Sequence, residues 1–223
     1  FSSEMPLVIL DTFQTISQDM TPKAPSMITI IDTVKPADRA VLTGRPDFHG
    51  RIGLEGRGQT SWGFNKKPFN VEFVDDEDRD QKTSFLDFPA GSDFVLLSIW
   101  NDKTFLNDYL AYILHEEMGH YSMRRRFVEV LYNGTYPASV SGTAPSGGKV
   151  GANDYAGIYL LLEKPRIDQN RVNNAELEPE DIAEPEISGV TGMICGKEHL
   201  PPEAADNRES KALGKAREAL RSG

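Results

Sequence analysis

Residues 53–73, Gly53-Leu54-Glu55-Gly56-Arg57-Gly58-Gln59-Thr60-Ser61-Trp62-Gly63-Phe64-Asn65-Lys66-Lys67-Pro68-Phe69-Asn70-Val71-Glu72-Phe73, read as strand, glycine-rich turn, basic pair, strand. The second strand is the clearest part. Apolar and polar residues alternate from Phe69 to Phe73, the period of a pleated strand with Phe69, Val71 and Phe73 turned to a core. The turn fits two uses. Glycines let backbone come close to a phosphate, and an ordinary hairpin wants them too. A Walker loop is excluded, because the lysine does not directly follow the last glycine and no helix follows it. A glycine loop between antiparallel strands, with lysine entering the second, is the layout with which protein kinases cover nucleotide phosphates. Pro68 removes a backbone donor from that lysine strand and favours a sheet edge.

Working outward, Met5 to Leu10 is an apolar run of strand length, and Ser26 to Asp32 and Gly50 to Glu55 are further strands. Phe94 to Trp100 has the continuous apolarity of a buried strand. After Asn101-Asp102, Thr104 to Met118 carries apolar residues at 105, 106, 109, 110, 113, 114 and 118, which predicts a helix of about four turns with one apolar face, ended by Gly119. Phe127 to Tyr132 and Gly157 to Glu163 are two more strands, separated by a Gly/Ser/Pro-rich surface excursion over 137–154. Glu176 to Glu186 is acidic and proline-punctuated, a linker pattern, and 201–223 is a polar tail compatible with a helix.

Composition narrows the partners. The chain has 24 Lys plus Arg against 34 Asp plus Glu, a formal net charge of −10. Its summed field repels nucleic acid and anionic membranes, so any phosphate site must be local. No apolar run is long enough to span a bilayer, and the single Cys195 cannot form an internal disulfide. Neither nucleic-acid binding nor membrane insertion is expected.

Three motifs fail on spacing or context. In His115-Glu116-Glu117-Met118-Gly119-His120 the histidines stand at i and i+5, roughly 140° apart on a helix, where a zinc protease needs i and i+4. Asp76, Asp78, Asp80 and Asp87 have calcium-loop spacing, but Gln81 occupies the place of the sharp-turn glycine and a strand precedes them. No G-x-S-x-G elbow supports a hydrolase triad. Asn133-Gly134-Thr135 is a sequon in form and a hairpin turn by preference. No metal ligand and no catalytic residue is assigned.

Several segments, in order, resemble the CotH kinase family, the spore-coat-protein-H-like atypical kinases. Arg57-Gly58-Gln59-Thr60-Ser61 and Phe64-Asn65-Lys66-Lys67-Pro68-Phe69 are similar to the family's R-G-N-S-S and F-P-K-K-S-Y. Residues 88–119 (FPAGSDFVLLSIWNDKTFLNDYLAYILHEEMG) resemble its passage from a D-W-V-L strand through D-K-T into A-Y-x-L-x-x-E-M-G. Residues 124–136 (RRRFVEVLYNGTY), 157–173 (GIYLLLEKPRIDQNRVN) and Ile187 to Gly189 continue the series, so the resemblance runs from about Met5 to Gly189.

The resemblance implies an α+β fold, a protein-kinase-like small lobe with an antiparallel sheet and one main packed helix over residues 1–175. The acidic linker and the start of the next block would occupy 176–200, and the polar helical tail 201–223. It implies ATP and Mg2+ as cofactors, and phosphoryl transfer to serine or threonine of a protein substrate, or of a coat or surface protein, at an extracellular, cell-surface or spore-surface address. Arg57, Gly58, Gln59 and Ser61 would lie over the phosphates. Lys67, with Lys66 as the second choice, would meet them and pair with Glu117; Glu163 would sit in the hinge beside the adenine, followed by Arg166, Asp168 and Arg171. Asn107-Asp108 replaces a family R-N, and nothing after Gly189 resembles the later W-D-F-D-like motif that carries the family's aspartates. The catalytic large lobe is therefore expected to be missing, and a non-catalytic surface or coat-assembly module is the competing class.

Overall fold

The alternation read from Phe69 to Phe73 has a physical counterpart: Phe69, Val71 and Phe73 are buried, whereas Asn70 and Glu72 are only partly covered. The same pattern recurs in strand after strand, and the strands close on themselves. The computed structural model describes residues 1–33, 39–137 and 150–172. In chain order the elements are β1 (Ser2–Ser3), β2 (Leu7–Thr12), β3 (Ala24–Ile31), β4 (Ala40–Val41), β5 (Phe48–Gly56), α1 (Gln59–Trp62) and β6 (Phe69–Phe73). They continue with β7 (Thr83–Phe85), β8 (Phe88–Gly91), β9 (Asp93–Leu97), α2 (Asn107–Glu117), β10 (Arg125–Asn133), a 3-10 turn at Ala152–Asp154 and β11 (Tyr155–Glu163).

Seven strands form a closed barrel in the order β10-β11-β9-β6-β5-β3-β2. Neighbours are antiparallel except at the closure, where β2 runs parallel to β10 with Leu7 opposite Glu129 and Asp11 opposite Asn133. This closure explains the unbroken apolar run of β2. Val8 and Leu10 enter the barrel interior, while Leu7 and Ile9 join Ile31, Ala40 and Leu131 in a second cluster, so the strand is buried on both faces.

The interior is an aromatic layer. Phe85 stands 5.0 Å from Phe73 and 4.8 Å from Phe94, ring centre to ring centre. The space lined by Val8, Ile28, Val71, Phe73, Phe94 and Leu161 has no room for a water molecule. No ligand fits within that space.

The kinase-small-lobe expectation is overturned by this architecture. The protein is mostly β, with a closed seven-stranded barrel rather than an open sheet backed by a packed helix. The long-range β2–β10 pairing removes both sheet edges, and no residue of α2 is fully buried. α2 lies against the outer wall through Tyr109 and Tyr112, with Phe105 just ahead of it, packed on Val95, Ile99, Leu160 and Leu162. The aliphatic stripe that dominated the predicted apolar face is the exposed one: Leu106, Leu110, Leu114 and Met118 are 46%, 49%, 63% and 71% exposed. Pro68 does not mark an edge either. β6 lies between β5 and β9, and Pro68 precedes its first residue, where the missing donor costs no ladder bond.

The described residues belong to one compact unit that ends at Asn173. The acidic linker and following block (176–200), the tail (201–223), Ile187 to Gly189, Cys195 and most of the 137–154 excursion lie outside the described residues.

Candidate functional site

The glycine loop is the connection between β5 and β6, closed where Gly56 pairs with Phe69. Gly56 has no room for a side chain, because a Cβ there would stand 2.4 Å from the Trp62 ring. Trp62 in turn meets Phe69 edge-on at 6.2 Å. Gly58 adopts φ +78°, a backbone that suits glycine, and starts the single turn α1 carrying Gln59 and Ser61. The Gly58 carbonyl accepts from Gln18 Nε2 at 2.8 Å, and the Arg57 amide donates to the Pro68 carbonyl at 3.2 Å.

The two lysines diverge. Lys67 turns its ammonium to the Trp62 carbonyl at 2.5 Å and the Trp62 ring at 5.2 Å. Lys66 donates to the Ile158 carbonyl and lies over the ring faces of Tyr159 at 4.4 Å and Phe105 at 5.2 Å. Burial, with Lys103 adding repulsion, pushes the Lys66 ammonium down to about 8 from its ordinary 10.5. Burial also lowers Lys67, and lowers Arg57 against a smaller opposing pull from Tyr112. Lys103 rests on the Trp100 carbonyl and ring, at 2.8 and 4.3 Å. Among the described residues, no carboxylate forms an ion pair with Arg57, Lys66, Lys67 or Lys103. Lys66, Lys67 and Lys103 are thus each held by a backbone carbonyl and a ring face, in a chain with a net charge of −10.

The remaining residues singled out from the sequence stand elsewhere. Glu117 is exposed on the last turn of α2 and is in no ion pair with a lysine among the described residues; its neighbour Glu116 takes Arg125 at 3.0 Å. Glu163 is fully buried and accepts from the Tyr121 hydroxyl at 3.0 Å, the Arg124 amide at 3.0 Å, Arg124 Nη1 at 3.1 Å and Arg171 Nε at 3.1 Å. Those bonds tie the end of β11 to the segment leading into β10 and, through Arg171, to the segment that follows β11. Arg171 also donates to the carbonyls of Ala90 and Pro89, Arg166 holds Asp93 at 2.6 Å, and Asp168 lies 3.6 Å from Arg171.

A divalent cation is not fitted by the described carboxylates. Glu72, Asp80 and Asp93 have oxygens within 4.8 Å of one another. Lys23 already binds Glu72 at 2.9 Å and Arg166 binds Asp93 and Asp80. Burial pushes the Glu72 carboxyl up against the pull of Lys23, with the nearby Asp80 and Asp93 adding to the rise. The calcium-like aspartates scatter, Asp78 to Arg51, Asp80 to Arg166 and Asp87 to Arg126. His115 and His120 stack at 4.9 Å, and no third metal-binding side chain joins them among the described residues.

The family model described as CotH kinase protein matches residues 54–212. The chain belongs to this family. Among curated proteins, none matches the chain. The CotH match starts in β5, just ahead of the glycine loop, and takes in the loop, the lysine pair, α2, β10 and β11. It thus begins later than the resemblance read from Met5, and β2 and β3, which complete the barrel, precede it. No helix among the described residues is long and apolar enough to cross a membrane. Two neighbours of Lys66 carried no assigned role in the sequence reading: Lys103, within the quoted D-K-T, and Tyr159, within the quoted G-x-Y.

Proposed function

We propose that this CotH-family chain binds the phosphates of ATP at the mouth formed by the Arg57 to Lys67 loop, and serves metal-dependent phosphoryl transfer to serine or threonine of a protein on a spore or cell surface. The observation that carries this reading is Lys66, an ammonium half-buried between Tyr159 and Phe105 with no carboxylate partner among the described residues. A cation left uncompensated in the folded protein raises its free energy, and an arriving phosphate oxygen relieves that penalty while gaining a charge-assisted bond. Arg57 offers a planar fork of donors to phosphate oxygens, whereas Lys66 and Lys103 act as point charges. Because the described carboxylates do not fit Mg2+, the metal would have to be carried by the nucleotide's own phosphates, where it would supply positive charge. Binding phosphate raises the proton affinity of Lys66, so nucleotide affinity should fall as pH climbs above about 8.

The test is thermal unfolding of the full chain with and without Mg2+ and ATP. At a ligand concentration a hundredfold above Kd, stabilisation should be about 2.7 kcal/mol, and Lys66→Met should remove most of it. Absence of any nucleotide-dependent stabilisation in the wild type would overturn the reading in favour of a non-catalytic surface or coat-assembly module.

A further inference from the structure

Three consecutive residues of β11 build the bed on which Lys66 lies. Gly157, at φ +107°, leaves the space: a Cβ there would stand 3.3 Å from Lys66 Cε. Ile158 supplies the carbonyl that takes the ammonium, and Tyr159 supplies the ring face below it. Tyr159 also reaches the other lysine. Its side chain is fully buried at the end of the barrel interior, where a hydroxyl must find partners. Those partners form a closed ring. The Lys67 amide donates to the Tyr136 hydroxyl at 2.7 Å, Tyr136 donates to Tyr159 at 2.9 Å, and Tyr159 donates to the Lys67 carbonyl at 2.9 Å. Each phenol has one proton, so with Tyr159 serving the carbonyl, the bond between the phenols must come from Tyr136. Lys67 stands two residues ahead of β6 and is followed by a proline without an amide proton. The two tyrosines therefore do for this segment what ladder bonds do for a strand.

We infer that Tyr159 is the positioning residue of the lysine pair, its hydroxyl fixing the Lys67 backbone while its ring face holds the Lys66 ammonium. The inference rests on the phosphate-binding reading for its purpose and on the geometry alone for its substance. The titratable groups facing Lys66 are Lys103 from the loop ahead of α2 and Tyr159 from β11. A tyrosine that merely filled the barrel would affect stability and leave the behaviour of Lys66 unchanged.

Two substitutions in the full chain separate hydroxyl from ring: Tyr159→Phe keeps the ring, and Tyr159→Leu loses both. The first measurement needs no nucleotide. Acylation of the Lys66 amine by an activated ester, followed across pH by peptide mass spectrometry, reports where that amine loses its proton. Tyr159→Phe should keep the wild-type midpoint, and Tyr159→Leu should move it down by roughly 0.5–1 pH unit, since the ring favours the charged form. A midpoint in Tyr159→Leu that stays or rises overturns the inference. The second measurement is Mg·ATP affinity. Tyr159→Phe and Tyr136→Phe, which break the same ring from its two sides, should each weaken binding about three- to tenfold with the pH profile unchanged; undiminished affinity in both overturns the role of the hydroxyls. If the Leu variant does not fold, Gly157→Ala displaces Lys66 from the same bed and must change its acylation midpoint, and an unchanged midpoint there overturns the inference. Wild-type protein that fails to bind ATP while the Tyr159→Leu midpoint moves would remove the proposed function and leave the positioning role standing. Binding with an immobile midpoint would do the reverse.

Discussion

Two charged regions of this molecule are built on opposite rules. Around Glu163 every charge is answered by the chain itself: a carboxylate with no exposed surface takes Arg124 and Arg171, the latter with a side chain only 4% exposed. Around Lys66 the cations are answered by carbonyl dipoles and ring faces, and by no carboxylate among the described residues. The first arrangement is complete and therefore structural. The second leaves its cations without a carboxylate among the described residues, and it is this contrast with a fully paired fastening that the phosphate proposal rests on.

The comparison can be broken most forcefully at its paired end. Glu163→Ala takes away the buried carboxylate shared by Arg124 and Arg171, leaving Arg171 only Asp168 at 3.6 Å and two backbone carbonyls, and should lower unfolding free energy by about 3 kcal/mol, measured by denaturant titration; a loss near zero would mean that the pair is not structural. At the other end the sign reverses. Lys66→Met should stabilise the ligand-free protein at pH 7 by about 1–2 kcal/mol, a figure reduced for the water at the lysine's rim. The pH dependence follows. The ammonium titrates near 8 in the folded chain and at its ordinary 10.5 when unfolded, so the penalty is fully present below pH 8 and is relieved as pH rises to 10.5. Wild-type stability should accordingly gain on that of Lys66→Met across this window, and parallel curves would refute the assignment. The smallest effect belongs to a pair that fits neither rule: Arg79 and Asp75 form an exposed turn, and Arg79→Ala should leave the melting temperature where it was.

Local patterning carried much of the strand content. β6 was readable to the residue because Phe69, Val71 and Phe73 share one buried face, and β5, β10 and β11 follow similar local rules. Closure was not readable. The parallel contact of β2 with β10 joins segments more than a hundred residues apart, and no local period encodes which distant strand a run such as Leu7 to Leu10 will meet. The α2 face was misassigned for a related reason. Aromatic and aliphatic residues both count as apolar in a helical period, yet only Phe105, Tyr109 and Tyr112 match the shape of the wall they cover. At the site, the loop and its basic pair were legible from composition. The identity of the unanswered lysine depended on β11, ninety residues later in the chain, which supplies its carbonyl and its ring.

The parallel seam between β2 and β10 also has a consequence in time. During synthesis β2 leaves the ribosome long before the strand that completes its pairing exists; at about 5–20 residues per second the wait is on the order of ten seconds. Throughout it, a strand apolar on both faces has only β3 to hold, with Leu7 and Ile9 on one side and Val8 and Leu10 on the other still short of their final neighbours. This barrel can lock only when its late strands arrive, so until then β2 stays paired on one edge alone.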